Sequence, residues 1–103
     1  IQINLLAATS DNPQAVNQIY NVAVGDNTTL NELFAALRGN FAERFPQSAN
    51  AKPIYRDFRA GDVRHSLADI SKAKELLSYA PQYGVGKGLE ESMAWYEHFL
   101  LRK

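Results

Sequence analysis

An α/β fold of about four helices and two short strands is what this sequence of 103 residues predicts, on three observations. Leu30, Leu33, Phe34, Leu37 and Phe41 recur at helical spacing behind Thr29 and Glu32, which can form a capping box. Ile19-Tyr-Asn-Val-Ala-Val24 is a nearly continuous apolar run closed by Gly25-Asp26-Asn27, the pattern of a strand buried on both faces. A hydrophobic share of 46% is that of a globular chain and too high for a disordered one.

The elements follow in order. Residues 1 to about 10 read as an apolar helix, stopped by Asp11-Asn12-Pro13. The first strand covers 19–24, and the capped helix runs from Thr29 to about Glu43. Pro46 to Pro53 is polar and broken, which makes it a surface loop. Ile54 to Phe58 reads as a second short strand, with Arg56 and Asp57 placing it at an edge. Asp69 can cap a third helix whose inner face is Ile70, Ala73, Leu76 and Leu77, ended by Tyr79-Ala80-Pro81. From about Gly86 a last helix carries Leu89, Met93, Tyr96 and Leu100 on one stripe, widened by Trp95 and Phe99. Two strands make a poor sheet alone, so their neighbours are expected in chain that precedes residue 1.

Composition excludes several classes. Eleven basic residues balance eleven acidic ones, so nothing favours nucleic acid or an anionic membrane. No apolar run approaches the roughly 20 residues of a spanning helix. The absence of cysteine removes disulfides and thiolate metal sites, and it fits a cytoplasmic protein. His65 and His98 have no ligand partners at metal spacing. The first residue is not Met and the opening pattern starts midway, so residues 1–103 read as one lobe cut from a larger protein.

The densest chemistry lies in residues 56–66, where Arg56, Arg59, Arg64, Asp57, Asp62, His65 and Ser66 surround Gly61. A guanidinium holds a pair of phosphate oxygens in a planar fork. A carboxylate three residues on accepts from sugar hydroxyls, and the glycine lets the backbone turn so that both face one ligand. Arg59-x-Gly-Asp62 therefore reads as half of a nucleotide-diphosphate grip, against a solvated turn as the plain structural reading.

Arg59-Ala-Gly-Asp-Val-Arg-His-Ser-Leu-Ala-Asp-Ile-Ser-Lys-Ala73 resembles the C-terminal substrate-binding segment of extended short-chain dehydrogenase/reductases, nearest the UDP-N-acetylglucosamine 4-epimerase branch of O-antigen synthesis. Asn4-Leu-Leu-Ala-Ala8, Tyr20-Asn-Val-Ala-Val-Gly25, Thr29-Leu-Asn-Glu-Leu33, Tyr79-Ala-Pro81 and Trp95-Tyr96 follow that family in order and spacing. The resemblance covers nearly the whole chain, but only the last third of such an enzyme. It implies the substrate lobe of an NAD-dependent UDP-N-acetylhexosamine 4-epimerase, an isomerase acting through transient oxidation at C4. Arg59 would contact the UDP diphosphate, Asp62 the ribose hydroxyls, and Ser66 would leave room for the N-acetyl group. Arg64 and His65 would either line the sugar pocket or make structural contacts.

The same resemblance places NAD on a preceding Rossmann domain, as partner to this lobe, and implies a homodimeric complete enzyme. Nothing in this chain supplies the Gly-x-x-Gly-x-x-Gly fingerprint or the catalytic Ser and Tyr-x-x-x-Lys on a helix, so the lobe alone is expected to be inactive. Tyr83-Gly-Val-Gly-Lys87 matches Tyr-x-x-x-Lys by spacing only, because it falls in a glycine-rich turn. Gly84-Val-Gly-Lys-Gly88 lacks the leading glycine and the Ser/Thr of a phosphate loop. Two other functions stay open. One is the same lobe of a UDP-glucuronate epimerase, decarboxylase or dehydratase; the other is a non-catalytic truncated interaction module.

Overall fold

A computed structural model describes residues 1–100, with the side chain of Leu100 outside the described set. Its helices are α1 (Gln2–Thr9), α2 (Leu30–Arg44), α3 (Ser71–Leu77) and α4 (Val85–Leu100), with 3-10 turns at Pro13–Ala15 and Pro46–Asn50. The chain forms two units, one of Ile1–Asn27 with His65–Gly84, the other of Thr28–Arg64 with the residues from Val85 onward.

The first unit is built around Ile3, Ala15, Ile70, Ala73, Leu77 and Tyr79, with Leu6, Tyr20, Ala23 and Leu76 packed on them. Asn12 sets the turn after α1. Its carbonyl oxygen accepts from the Gln14 N–H at 3.0 Å, and its amide nitrogen donates to the Leu76 carbonyl at 3.0 Å. The inner face expected for α3 is the one that is buried, with Leu76 half-buried. Asp69 sits one residue ahead of the cap position Ile70 and accepts from the Ser71 N–H at 2.9 Å. Ser71, through its hydroxyl and then its N–H, holds the Asp69 carboxyl below the usual aspartate value. At the other end Ser78 adopts a left-handed conformation (φ 53°), and the Tyr79 N–H reaches the Ala73 carbonyl at 3.2 Å. This is a left-handed helix ending that returns the chain onto a carbonyl of α3.

In the second unit the capping box forms as the sequence predicts. The Glu32 N–H donates to Thr29 Oγ1 at 3.2 Å, and the Thr29 N–H donates to Glu32 Oε2 at 2.8 Å. Helix α2 packs on α4, and an ion pair at 2.8 Å links Arg44 Nε to Glu97 Oε2. Met93, 1% exposed, is the one fully buried hydrophobic side chain of this unit among the described residues. Leu33, Phe34, Leu37 and Phe41 are half-buried, whereas Leu30, expected on the same inner face, is 82% exposed at the helix entrance. Leu89 is half-buried on α4, but Tyr96, Trp95 and Phe99 are exposed, with Trp95 stacked on Phe99 at a centroid distance of 5.2 Å and Tyr96 edge-on to Trp95. The Leu100 side chain, assigned to that stripe, lies outside the described residues.

The two strands are absent. No β-strand occurs among the described residues, so the α/β prediction is corrected to an all-helical fold. A strand is stable only when its peptide groups pair with a neighbour. No backbone–backbone hydrogen bond joins 19–24 or 54–58 to another segment among the described residues. The first run is held by side chains instead: Tyr20 donates its hydroxyl to the Ala15 carbonyl at 2.7 Å, and the Tyr79 hydroxyl donates to the Ala23 carbonyl at 2.9 Å. Asn21 donates its side-chain amide to the Asp69 carbonyl at 3.2 Å. Ile19 (88%) and Ile54 (83%) stay in solvent, together with Val22, Tyr55 and Phe58.

Candidate functional site

The polar segment singled out by sequence leaves α2 through residues that α2 itself tethers. Arg38 Nη1 donates to the Ala51 carbonyl at 3.2 Å, and the Tyr55 hydroxyl donates to Asn31 Oδ1 at 3.2 Å. Beyond Tyr55 the chain has no regular structure until it reverses at Arg59-Ala60-Gly61-Asp62, where the Asp62 N–H donates to the Arg59 carbonyl at 3.2 Å. Gly61 occupies the third position with φ +85°, a conformation that disfavours any side chain. The glycine therefore does what its place in the motif predicts.

The reversal brings Arg59 and Asp62 together. Arg59 Nε donates to Asp62 Oδ2 at 3.1 Å, with the Arg59 side chain 85% exposed and that of Asp62 less so. An exposed pair of this kind adds at most about 1 kcal/mol. Only Nε is engaged by the carboxylate, so the Nη groups face solvent and can fork onto an anion. A second contact spans the same turn and is not anticipated by sequence. The Arg64 guanidinium carbon lies 4.2 Å from the centroid of the Phe58 ring. The signal that could have revealed it is an aromatic and an arginine placed at either side of a glycine turn.

Ser66 belongs to the other unit and is exposed, as is His65. Arg56 is exposed. Among the described residues no group of His, Cys, Asp or Glu could hold a metal ion. Tyr83 precedes α4 while Lys87 lies in its first turn, so the two do not share a helix. A cleft of the second unit between α2 and α4 is lined by Ala36, Gly39, Asn40, Glu43, Arg44 and Glu90, and includes none of the residues singled out by sequence. No described helix is long and apolar enough to cross a membrane.

Known proteins give a distant and partial likeness. No protein-family model matches the chain. It is 26% identical over 99 residues to a dTDP-L-rhamnose 4-epimerase of Burkholderia thailandensis, covering 96% of this chain and 25% of that protein. With a UDP-glucose 4-epimerase of Mycolicibacterium smegmatis it shares 28% over 86 residues, 84% of this chain and 26% of the relative. A UDP-glucuronate 4-epimerase of Thermodesulfobacterium geofontis matches at 32% over 79 residues, 76% of this chain and 23% of the relative. The chain thus spans about a quarter of the length of the curated relatives it matches.

These findings correct the functional expectation. A strandless fold among the described residues supplies no sheet on which a short-chain dehydrogenase/reductase lobe could be built. A weak likeness to a quarter of several different epimerases does not replace that missing sheet. The assignment to an NAD-dependent UDP-N-acetylhexosamine 4-epimerase is withdrawn, and with it the isomerase and Rossmann descriptions. The sequence offers no glycine fingerprint for a dinucleotide pyrophosphate, so no residue here is assigned to NAD.

Proposed function

We propose that this chain is a non-catalytic interaction module that binds a polypeptide partner through its irregular apolar segments, 19–24 and 54–58. One observation carries the reading: both segments expose large apolar side chains on backbone that pairs with no other segment among the described residues. Large contiguous exposed apolar surface marks an interaction site. A partner that covers these segments must supply main-chain donors and acceptors as well as apolar contacts, because burial of unpaired peptide groups is costly.

Arg59 and Asp62 are the residues we assign to a phosphate-bearing ligand carried by the same module. The exposed Arg59 fork and its neighbouring carboxylate support that role for the turn. The names of the relatives point the same way, since dTDP-L-rhamnose, UDP-glucose and UDP-glucuronate are all diphosphate-linked sugars.

Sedimentation velocity tests the association. Without its partner the chain should self-associate as its concentration rises from about 10 µM to several hundred µM, because burial of apolar surface yields roughly 25 cal/mol per Å². Ile19→Ser with Val22→Ser, or Ile54→Ser, should shift the chain toward monomer without loss of helical circular dichroism. A clean monomer at every concentration, with a sharp concentration-independent unfolding transition, contradicts the reading.

A further inference from the structure

We infer that the outer face of α4 pairs, antiparallel and about a two-fold axis, with the same face of a second copy of this chain. The inference is independent of segments 19–24 and 54–58. Met93 of α4 is buried, and Glu97 on the same side of the helix reaches Arg44 of α2. At about 100° per residue, Gly88, Ser92, Trp95 and Phe99 share another face, turned by more than about 90° from Met93. That face leaves Trp95 60% and Phe99 55% exposed, with Tyr96 at its border 46% exposed. The rings are nevertheless ordered. Trp95 and Phe99 stack with 9° between their planes, and Tyr96 meets Trp95 edge-on.

The face itself specifies its occupant. Its N-terminal half is small, Gly88 and Ser92, and its C-terminal half is large, Trp95 and Phe99. Two copies laid antiparallel set Phe99 of one against Gly88 of the other and Trp95 against Ser92, and the two-fold axis makes each contact twice. A parallel pair would set ring against ring and leave the small residues facing a gap. No packing within the chain asks for glycine at 88, where a Cβ would meet no atom within 4 Å. The Ser92 hydroxyl donates to the Gly88 carbonyl at 2.7 Å, so covering it leaves no donor unpaired. Glu91 and His98, both exposed, flank the face on one side. The same register brings Glu91 beside His98 of the second copy, an acceptor against a donor. Three rings that each expose about half of the 150–250 Å² an aromatic side chain can bury give roughly 300 Å² per copy. Doubled, that is about half of a standard interface, so the pair is a weak, concentration-dependent dimer and not an obligate one.

The test uses the full chain carrying Ile19→Ser, Val22→Ser and Ile54→Ser, which removes association through those segments. Sedimentation equilibrium should show a monomer–dimer equilibrium that stops at the dimer. Gly88→Leu fills the hole from open space in the monomer and should weaken dimerisation at least about tenfold, with helical circular dichroism retained. Trp95→Ala should weaken it as well. Orientation is read by cross-linking, since the chain has no cysteine of its own. An oxidised mixture of Glu91→Cys and His98→Cys chains should form the mixed disulfide well beyond its statistical share, because a disulfide needs its two Cβ atoms close together. A chain that stays monomeric on this background, a Gly88→Leu variant that dimerises as well as its parent, or disulfides between like chains in place of the mixed one each overturns the inference. None of these outcomes touches the reading of 19–24 and 54–58.

Discussion

The Tyr79 hydroxyl donates to the Ala23 carbonyl at 2.9 Å across a sequence separation of 56 residues, and so ties an irregular apolar segment to the residue that closes α3. Tyr79 is buried and Ala23 half-buried, so the carbonyl has little other recourse. Tyr79→Phe should destabilise the first unit by about 1 kcal/mol, the usual net value of such a bond. The loss should appear as a lowered urea midpoint with an unchanged slope. No change in midpoint would mean that water replaces the hydroxyl at no cost.

The capping box gives a second prediction. Thr29→Ala removes the acceptor for the Glu32 N–H and should cost about 1 kcal/mol of stability in the second unit. Thr29→Ser keeps the oxygen and should restore most of it. Equal losses in the two variants would show that packing of the threonine methyl, and not the cap, is what matters.

A pH dependence follows from the same box. The Thr29 N–H and then the Thr29 hydroxyl donate to the Glu32 carboxylate and hold its pKa below the usual glutamate value. A carboxyl depressed in the folded state stabilises fully above its unfolded pKa, and the effect is lost as pH falls through the lowered folded value. The fraying of α2 should therefore increase only below the ordinary glutamate range. Amide exchange of residues 30–33 against pH, compared with Glu32→Gln, tests this. Glu32→Gln should flatten the dependence, and an identical profile in both proteins would contradict it.

Two positions with left-handed backbone move stability in opposite directions. Gly61→Ala meets no atom within 4 Å, so its cost is conformational alone, about 1–2 kcal/mol at φ +85°. Ser78→Gly relieves the same strain at the end of α3 and should stabilise by up to about 1 kcal/mol, less whatever entropy glycine adds to the unfolded chain. Thermal midpoints of both variants decide the matter, and a Gly61→Ala variant as stable as wild type would remove the argument for the turn.

What was legible in the sequence is local. The Thr29–Glu32 box, the inner face of α3 and the Arg59–Asp62 reversal each depend on residues within one turn of each other. The strands were not legible, because an apolar run such as 19–24 has the same pattern whether or not a neighbouring strand exists, and β propensity is largely a property of that neighbour. Tyr20 and Ala23 turn inward onto the core while Ile19 and Val22 remain exposed, a division that depends on Tyr79 far along the chain. The contact of Arg64 with Phe58 is not readable for a related reason, since a contact across a turn follows no helical or strand period. Leu30 shows the limit of periodicity itself: it has the right spacing for the α2 face but sits at the helix entrance, where nothing covers it.

The central claim is that 19–24 and 54–58 are unpaired, irregular chain offered to a partner. Amide hydrogen exchange of the dilute monomer, resolved by residue, tests it most directly. The account predicts near-intrinsic exchange in both segments beside protected amides in α3, with protection gained as the chain associates. Strong protection of both segments in the dilute monomer would show that they pair within the chain, and would contradict it.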